Sequence, residues 1–315
     1  MAAERGAKVV LVSRDADALV RIVREIEEAG GQAEFASADV GDLRDVQRAA
    51  AKAVERFGRI DTWVNDAGVA IYAKLVDTPM DEHEEMVGTN YFGVVNGSLT
   101  AVEHLQREGG ALITVASIAA DIPTPIMGAY AATKHAVKAY TQSLRMELIA
   151  DRIPISVTLI KPGGVDTPIA QHAANHVEGE AMIPPPVYAP ELVAEAILDA
   201  AVIPRRDVTV GGGARLQVLV GTHFPKLLDA MGAVITPVVE DTEVPKTEGN
   251  NLAGPRDNGR ENSETQAGRP FSVYGTPRRR NWIGALAVAG AVAGAVGLLF
   301  NGEGEAKLSK AKKKA

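Results

Sequence analysis

From Lys8 to Val210 the chain alternates short, continuous apolar runs with stretches of helical period, and few architectures accept that pattern. Lys8–Ser13 is rich in β-branched residues and reads as a buried strand. In 15–29, Leu19, Ile22, Val23 and Ile26 recur at helical spacing, and Gly30-Gly31 supplies the stop. The runs 32–36, 62–64, 111–116, 155–160 and 207–210 read as further strands; 42–57, 80–106, 128–150 and 190–201 read as helices. Gly211-Gly212-Gly213 reads as a turn, not a phosphate loop, for want of a suitable helix start behind it. Strands apolar on both faces, separated by helices, predict an α/β fold with a doubly wound parallel sheet. Such a sheet binds ligands beyond the carboxyl ends of its strands.

Charge divides the chain. The 315 residues carry 33 Lys/Arg against 40 Asp/Glu, a net charge of -7 that excludes a generally basic nucleic-acid binder. Residues 1–240 hold 21 basic against 32 acidic groups, whereas 241–315 hold 12 against 8. With no cysteine, disulfides and thiolate chemistry are excluded. His172 and His176 have the spacing of a metal pair, but nothing is placed to complete one, so no metal is expected. A flap over the substrate is the preferred reading there, and Asp81 to Glu85 read as a solvated helix start.

The chemistry lies where strands end. Tyr130 and Lys134 stand four residues apart on a predicted helix, so phenol and ammonium share a face; the cation favours phenolate and lowers the tyrosine's proton affinity. Ser117 closes a strand 13 residues before Tyr130, where its hydroxyl can hydrogen-bond a carbonyl. Asn65-Asp66-Ala67-Gly68 follows another strand, with small residues that admit a flat ring. Asn90 sits in Thr89-Asn90-Tyr91-Phe92-Gly93, and 161–167 bends away after a further strand.

In type, order and spacing these residues resemble the short-chain dehydrogenase/reductase family over 6–212. The resemblance implies an NAD(P)-dependent oxidoreductase that moves a hydride between nicotinamide and a small alcohol or ketone. Asn90, Ser117, Tyr130 and Lys134 match the family's catalytic tetrad. Tyr130 would transfer the proton, Ser117 would hold the carbonyl or hydroxyl, and Lys134 would lower the tyrosine's pKa and bond the nicotinamide ribose. Asn90 would position a relay water. Asn65, Ala67 and Gly68 match the segment beside the adenosine; Pro162, Gly163, Val165 and Thr167 match the one that fixes the nicotinamide face; Asp39 and Val40 match the adenine edge. Arg14 falls where the family chooses its cofactor, and a guanidinium there suits a 2′-phosphate, so NADP is expected, with Asp15 next door leaving NAD open. Asp66 stands where the family usually has Asn. The substrate pocket would be lined by 169–186.

Two features depart from the family. Its members open with a strand and a Gly-rich turn that cradles the pyrophosphate. This sequence begins where the following helix would be ending, so that strand, central in the sheet, is expected to be missing. Second, after an oxidoreductase domain over 1–240, the polar stretch 241–280 reads as a disordered linker. The uncharged segment 282–300, apolar on every face, reads as a transmembrane helix, and 301–315 as a basic tail. The expectation is a cytoplasmic catalytic body anchored to membrane lipid, since 1–8 is no secretory signal. Homo-oligomers are allowed, with Gly290 and Gly294 as a small-residue step. The competing reading is a non-catalytic, membrane-tethered binding protein that keeps the fold without the cofactor.

Overall fold

The computed structural model describes residues 1–255 and 259–272. Its strands are β1 (Lys8–Ser13), β2 (Gln32–Ser37), β3 (Thr62–Asn65), β4 (Ile71–Tyr72), β5 (Gly110–Val115), β6 (Ile155–Pro162), β7 (Gly164–Val165), β8 (Ala174–Asn175), β9 (Glu180–Ala181), β10 (Val187–Tyr188), β11 (Asp207–Val210) and β12 (Glu240–Asp241). The helices are α1 (Ala16–Glu28), α2 (Leu43–Phe57), α3 (Met80–Val87), α4 (Gly93–Leu105), α5 (Gly128–Ala150), α6 (Ile169–His172), α7 (Pro190–Val202), α8 (Gly212–His223) and α9 (Pro225–Ile235).

The architecture is Rossmann-like, with every major strand pair parallel. The six longer strands form two sheets, β1-β2 and β11-β6-β5-β3, with no strand pair joining them among the described residues; the short strands pair as β4-β8, β10-β7 and β12-β9. Val12 on β1 and Val64 on β3 are 40% and 39% exposed. In the larger sheet Asn65 is level with Thr114, and Val115 with Ile160. That register brings the carboxyl ends of β3, β5 and β6 to one edge.

Consecutive residues of β5 explain why its apolar run is unbroken. Leu112 packs with Leu105 and Leu148 of α4 and α5, whereas Ile113 packs with Val193, Ala196 and Ala200 of α7. Both are fully buried, each contributing roughly 1.5–3 kcal/mol by transfer from water. Helix starts follow local chemistry: the Asp15 carboxylate accepts from the Ala18 N–H at 2.9 Å, and that of Asp42 from the Arg44 N–H at 2.7 Å.

The structure corrects four expectations. The span 80–106 is not one regular helix: α3 and α4 are separated by a π-helical turn, Gly88–Phe92. Gly212 opens α8 instead of lying in a turn, with the Gly213 N–H donating to the Tyr188 hydroxyl at 2.9 Å. Glu82 is not simply solvated, because His176 Nε2 meets its carboxylate at 2.7 Å. The described residues of 241–280 do not behave as a disordered linker: they form a strap along the body. Leu252 is buried, the Asp166 carboxylate accepts from the N–H groups of Ser263 and Gly268 at 2.9 Å each, and the Gln266 amide exchanges two hydrogen bonds with the Ile183 backbone. Polar composition suggested no core, but these residues are held by hydrogen bonds to distant partners. Among the described residues no helix is long and apolar enough to cross a membrane. The predicted span 282–300, with Gly290 and Gly294, and the tail 301–315 lie outside them.

Candidate active site

The tetrad comes together at the carboxyl edge of the larger sheet. Ser117 follows β5, and its side chain accepts from the Ala119 N–H at 3.1 Å, capping the turn Ile118–Ala120. Ser117 also acts on Tyr130, in the first turn of α5, drawing its phenol pKa down. One turn on, Lys134 places its Nζ 5.5 Å from the Tyr130 ring centroid and donates to the Val115 carbonyl at 3.3 Å. Asn90 lies in the π-helical turn and is fully buried. Its Oδ1 accepts from the Val69 N–H at 2.8 Å, while its Nδ2 donates to the Val69 carbonyl at 2.9 Å and to Thr133 Oγ1 at 3.1 Å. The amide of Asn90 is thus committed to protein partners, and it clamps the loop after β3 to the helix that carries Tyr130.

The electrostatics differ from simple adjacency. Burial pushes the Tyr130 phenol up to about 12; Ser117 opposes this and the Asp66 carboxylate adds to it. Lys134 is not among the groups that move it, so the lowering expected from that cation is absent and desolvation dominates. Burial also pushes the Lys134 ammonium down to about 8, against an upward pull from Asp66. Desolvation pushes the Asp66 carboxyl above the ordinary range and Lys134 opposes the push; the residue is exposed, so solvent weakens the shift.

The remaining predicted residues fall around this centre. The Asn65 side chain accepts from Trp63 Nε1 at 2.8 Å and donates to Ser98 at 3.1 Å. Ala67 is exposed, and Gly68 lies against the site: a Cβ there would stand 3.5 Å from both Asn90 Oδ1 and Lys134 Nζ, an ordinary contact. Pro162 is buried at the end of β6, followed by half-buried Gly163, Val165 and Thr167, with Val165 in β7 paired to β10. Asp39 accepts from the Gly41 N–H at 2.8 Å, and the Val40 carbonyl accepts from Asn96 Nδ2 at 2.9 Å. Arg14 lies 3.8 Å from Asp39 and donates to the carbonyls of Asn251 and Leu252 at 2.5 and 2.8 Å. Thr133, Ser98 and Trp63 were not singled out from the sequence. Thr133 alone had a signal, lying between Tyr130 and Lys134.

The two halves of a dinucleotide site fit differently. An ammonium has three N–H groups, and Lys134 spends one on a long bond to Val115, leaving donors for a ribose diol beside Tyr130. At the other end, a cleft of about 680 Å³ is lined by Arg14, Asp39, Asp42, Thr89 and Leu252 among others, and the strap covers the guanidinium there. The segment 169–186 packs over Tyr130 through Ile169, Ala170, Ala173 and Ile183.

Comparison with known proteins supplies the lineage. Residues 1–178 match the family model described as short chain dehydrogenase. Uncharacterized oxidoreductase YxnA of Bacillus subtilis (strain 168) is 39% identical over 304 residues, covering 93% of this chain and 84% of that one. Among solved structures, a short chain dehydrogenase/reductase from Burkholderia phymatum in complex with NAD superposes with a TM-score of 0.65 at 24% identity, over 72% of this chain and 88% of that one. An alcohol dehydrogenase from Thermococcus sibiricus complexed with 5-hydroxy-NADP superposes with a TM-score of 0.58 at 24% identity, over 66% and 87%.

Proposed function

Because the chain belongs to the short-chain dehydrogenase/reductase family of NAD(P)-dependent oxidoreductases, we propose that it interconverts a small alcohol and ketone with Tyr130 as the proton donor and acceptor. The observation that carries this reading is Lys134 Nζ 5.5 Å from the Tyr130 ring centroid one helical turn on, with Ser117 acting on the same phenol. The nicotinamide, when bound, supplies or accepts the hydride. The other tasks fall to this chain's residues. Ser117 donates to the substrate oxygen and orients it toward the phenol. Tyr130 Oη gives its proton to that oxygen in reduction and takes it back in oxidation. Lys134 stabilises the phenolate left behind and holds the ribose. Asn90 holds the backbone of Val69 and Thr133, fixing the floor of the cleft where it would position a relay water. Arg14 favours NADP, since a guanidinium pairs with a 2′-phosphate; solved relatives bound to NAD and to NADP support a nicotinamide cofactor of either kind.

Tyr130→Phe removes the transferable proton and leaves the ring. The expected loss is about 10²–10⁴ in turnover, with cofactor affinity little changed. NADPH oxidation with cyclohexanone as the probe carbonyl, beside NADPH titration of both proteins, checks it. Near-normal turnover by the variant would refute the role of Tyr130.

A further inference from the structure

Three charged side chains that the proposed reaction does not use meet beside the site. Asp121 closes the turn Ile118–Ala120 that follows Ser117. Lys138 lies on α5, one turn beyond Lys134 and two beyond Tyr130. Lys161 immediately precedes Pro162 at the end of β6. Lys161 Nζ donates to Asp121 Oδ2 at 2.6 Å, and Lys138 Nζ donates to Oδ1 at 2.5 Å. The side chains of Asp121 and Lys161 are only 7% and 10% exposed, and that of Lys138 is 32% exposed.

A buried cluster of this kind is weak as a stability device, because desolvation offsets most of its attraction. Its value is geometric. Charge-assisted hydrogen bonds are short and directional, and two of them on one carboxylate fix three elements to each other. Backbone bonding does not supply that link. The end of β5 is joined to β6 by the Ala116 N–H donating to Ile160 at 2.8 Å. Among the described residues no backbone hydrogen bond joins 117–121 to α5. Apart from the Ser117–Tyr130 and Lys134–Val115 contacts of the site itself, Asp121–Lys138 is the polar tie between turn and helix.

We propose that Asp121 is a positioning residue: pinned by Lys138 and Lys161, it sets the Ser117 hydroxyl against the Tyr130 phenol and locks both to the turn that begins at Pro162. The inference rests on the reading of Ser117 and Tyr130 given above. Burial would push the Asp121 carboxyl up, but the hydrogen bonds from the two lysines prevail and hold it below the usual range, so the carboxylate persists at neutral pH. The three residues stand in the chain as one carboxylate soon after a strand, one lysine in helical step with Lys134, and one lysine ending an apolar strand.

The test compares the full chain with Asp121→Asn and Asp121→Glu by amide hydrogen exchange and by NADPH oxidation with cyclohexanone. Asp121→Asn should raise exchange together in 115–123, 128–138 and 159–165, while 8–57 keeps its protection. Its kcat should fall about 10- to 100-fold, as for a misplacement near an ångström, with KM for NADPH within about twofold. Asp121→Glu should recover most of both losses. Adding Lys161→Met to Asp121→Asn should restore part of the protection, because an unpaired buried charge is then removed. Faster exchange confined to the turn of Asp121, equal loosening of the whole chain, or no change at all would overturn the proposal. Should Asp121→Asn fail to fold, Lys138→Met applies the same criterion to 115–123 and 128–138 alone. A wild-type chain that oxidises no NADPH sinks the reaction assigned above, and the exchange pattern still decides the positioning role.

Discussion

Near neutral pH the Tyr130 phenol, pushed up to about 12, keeps its proton, while Lys134, pushed down to about 8, still carries most of its charge. That pairing suits reduction, in which the phenol must start protonated and the phenolate must then be stabilised. Above about pH 8 Lys134 loses its charge, so reductive turnover should fall on the alkaline side of that value. Asp66 is the residue that moves this limb. Its carboxylate raises the Lys134 value, so Asp66→Asn should shift the limb to lower pH. A pH profile of kcat for the two proteins checks the sign, and a limb that stays put or rises removes Asp66 from the electrostatics of the site. The same depression bears on stability. Between about pH 8 and Lys134's unperturbed value of 10.5, the unfolded chain binds more protons than the native state, and the contribution of Lys134 to stability increases with pH across that window.

At the scale of elements, α4 owes its place to two glycines one turn apart. A Cβ on Gly93 would lie 2.6 Å from Val40 Cγ2, and one on Gly97 would lie 2.1 Å from Asn65 Oδ1. The helix therefore rests directly on two segments assigned to the cofactor. Helix propensity alone predicts that Gly97→Ala stabilises by roughly 0.5–1 kcal/mol. The contact predicts the reverse, a loss of about 1–3 kcal/mol from overpacking with Asn65 displaced. Urea unfolding decides, and a more stable variant would mean that Asn65 yields freely. The six longer strands and most helices were legible because their signal is local, as in Leu112 and Ile113 facing opposite layers, whereas the two-residue strands β4, β7, β8, β9, β10 and β12 were not. The turn Gly88–Phe92 was not. Its extra residue is held by bonds from Asn90 to Val69 and Thr133, which no window of sequence contains. The proposed tetrad was picked by order and spacing, whereas the Asp121 cluster joins residues 17 and 40 positions apart whose types are ordinary taken singly.

Across the molecule, the strap that polar composition disguised as a linker runs from the substrate side to the adenosine side. The Asn251 N–H donates to the His172 carbonyl at 2.9 Å, the Leu252 side chain joins the buried cluster that holds Tyr130, and the Asn251 and Leu252 carbonyls take up Arg14. These partners lie more than 230 residues from Arg14 in sequence, which is why its commitment could not be foreseen. If Arg14 is to hold a 2′-phosphate as proposed, the phosphate must compete with those carbonyls, so the affinity for NADPH would be reduced to the extent that the strap stays closed. Leu252→Ala weakens the anchor without touching Arg14. Truncating a buried leucine should cost about 2–5 kcal/mol of whatever holds the strap down, visible as a lower Tm or as local loss of exchange protection at 249–255. The same variant should bind NADPH more tightly, and should gain less for NADH, which lacks the phosphate. Arg14→Ala should lose the difference between the two nucleotides altogether. Fluorescence titration of both nucleotides against the three proteins tests the competition, and a Leu252→Ala chain that is less stable yet binds NADPH no better would show that the strap and the phosphate do not share Arg14.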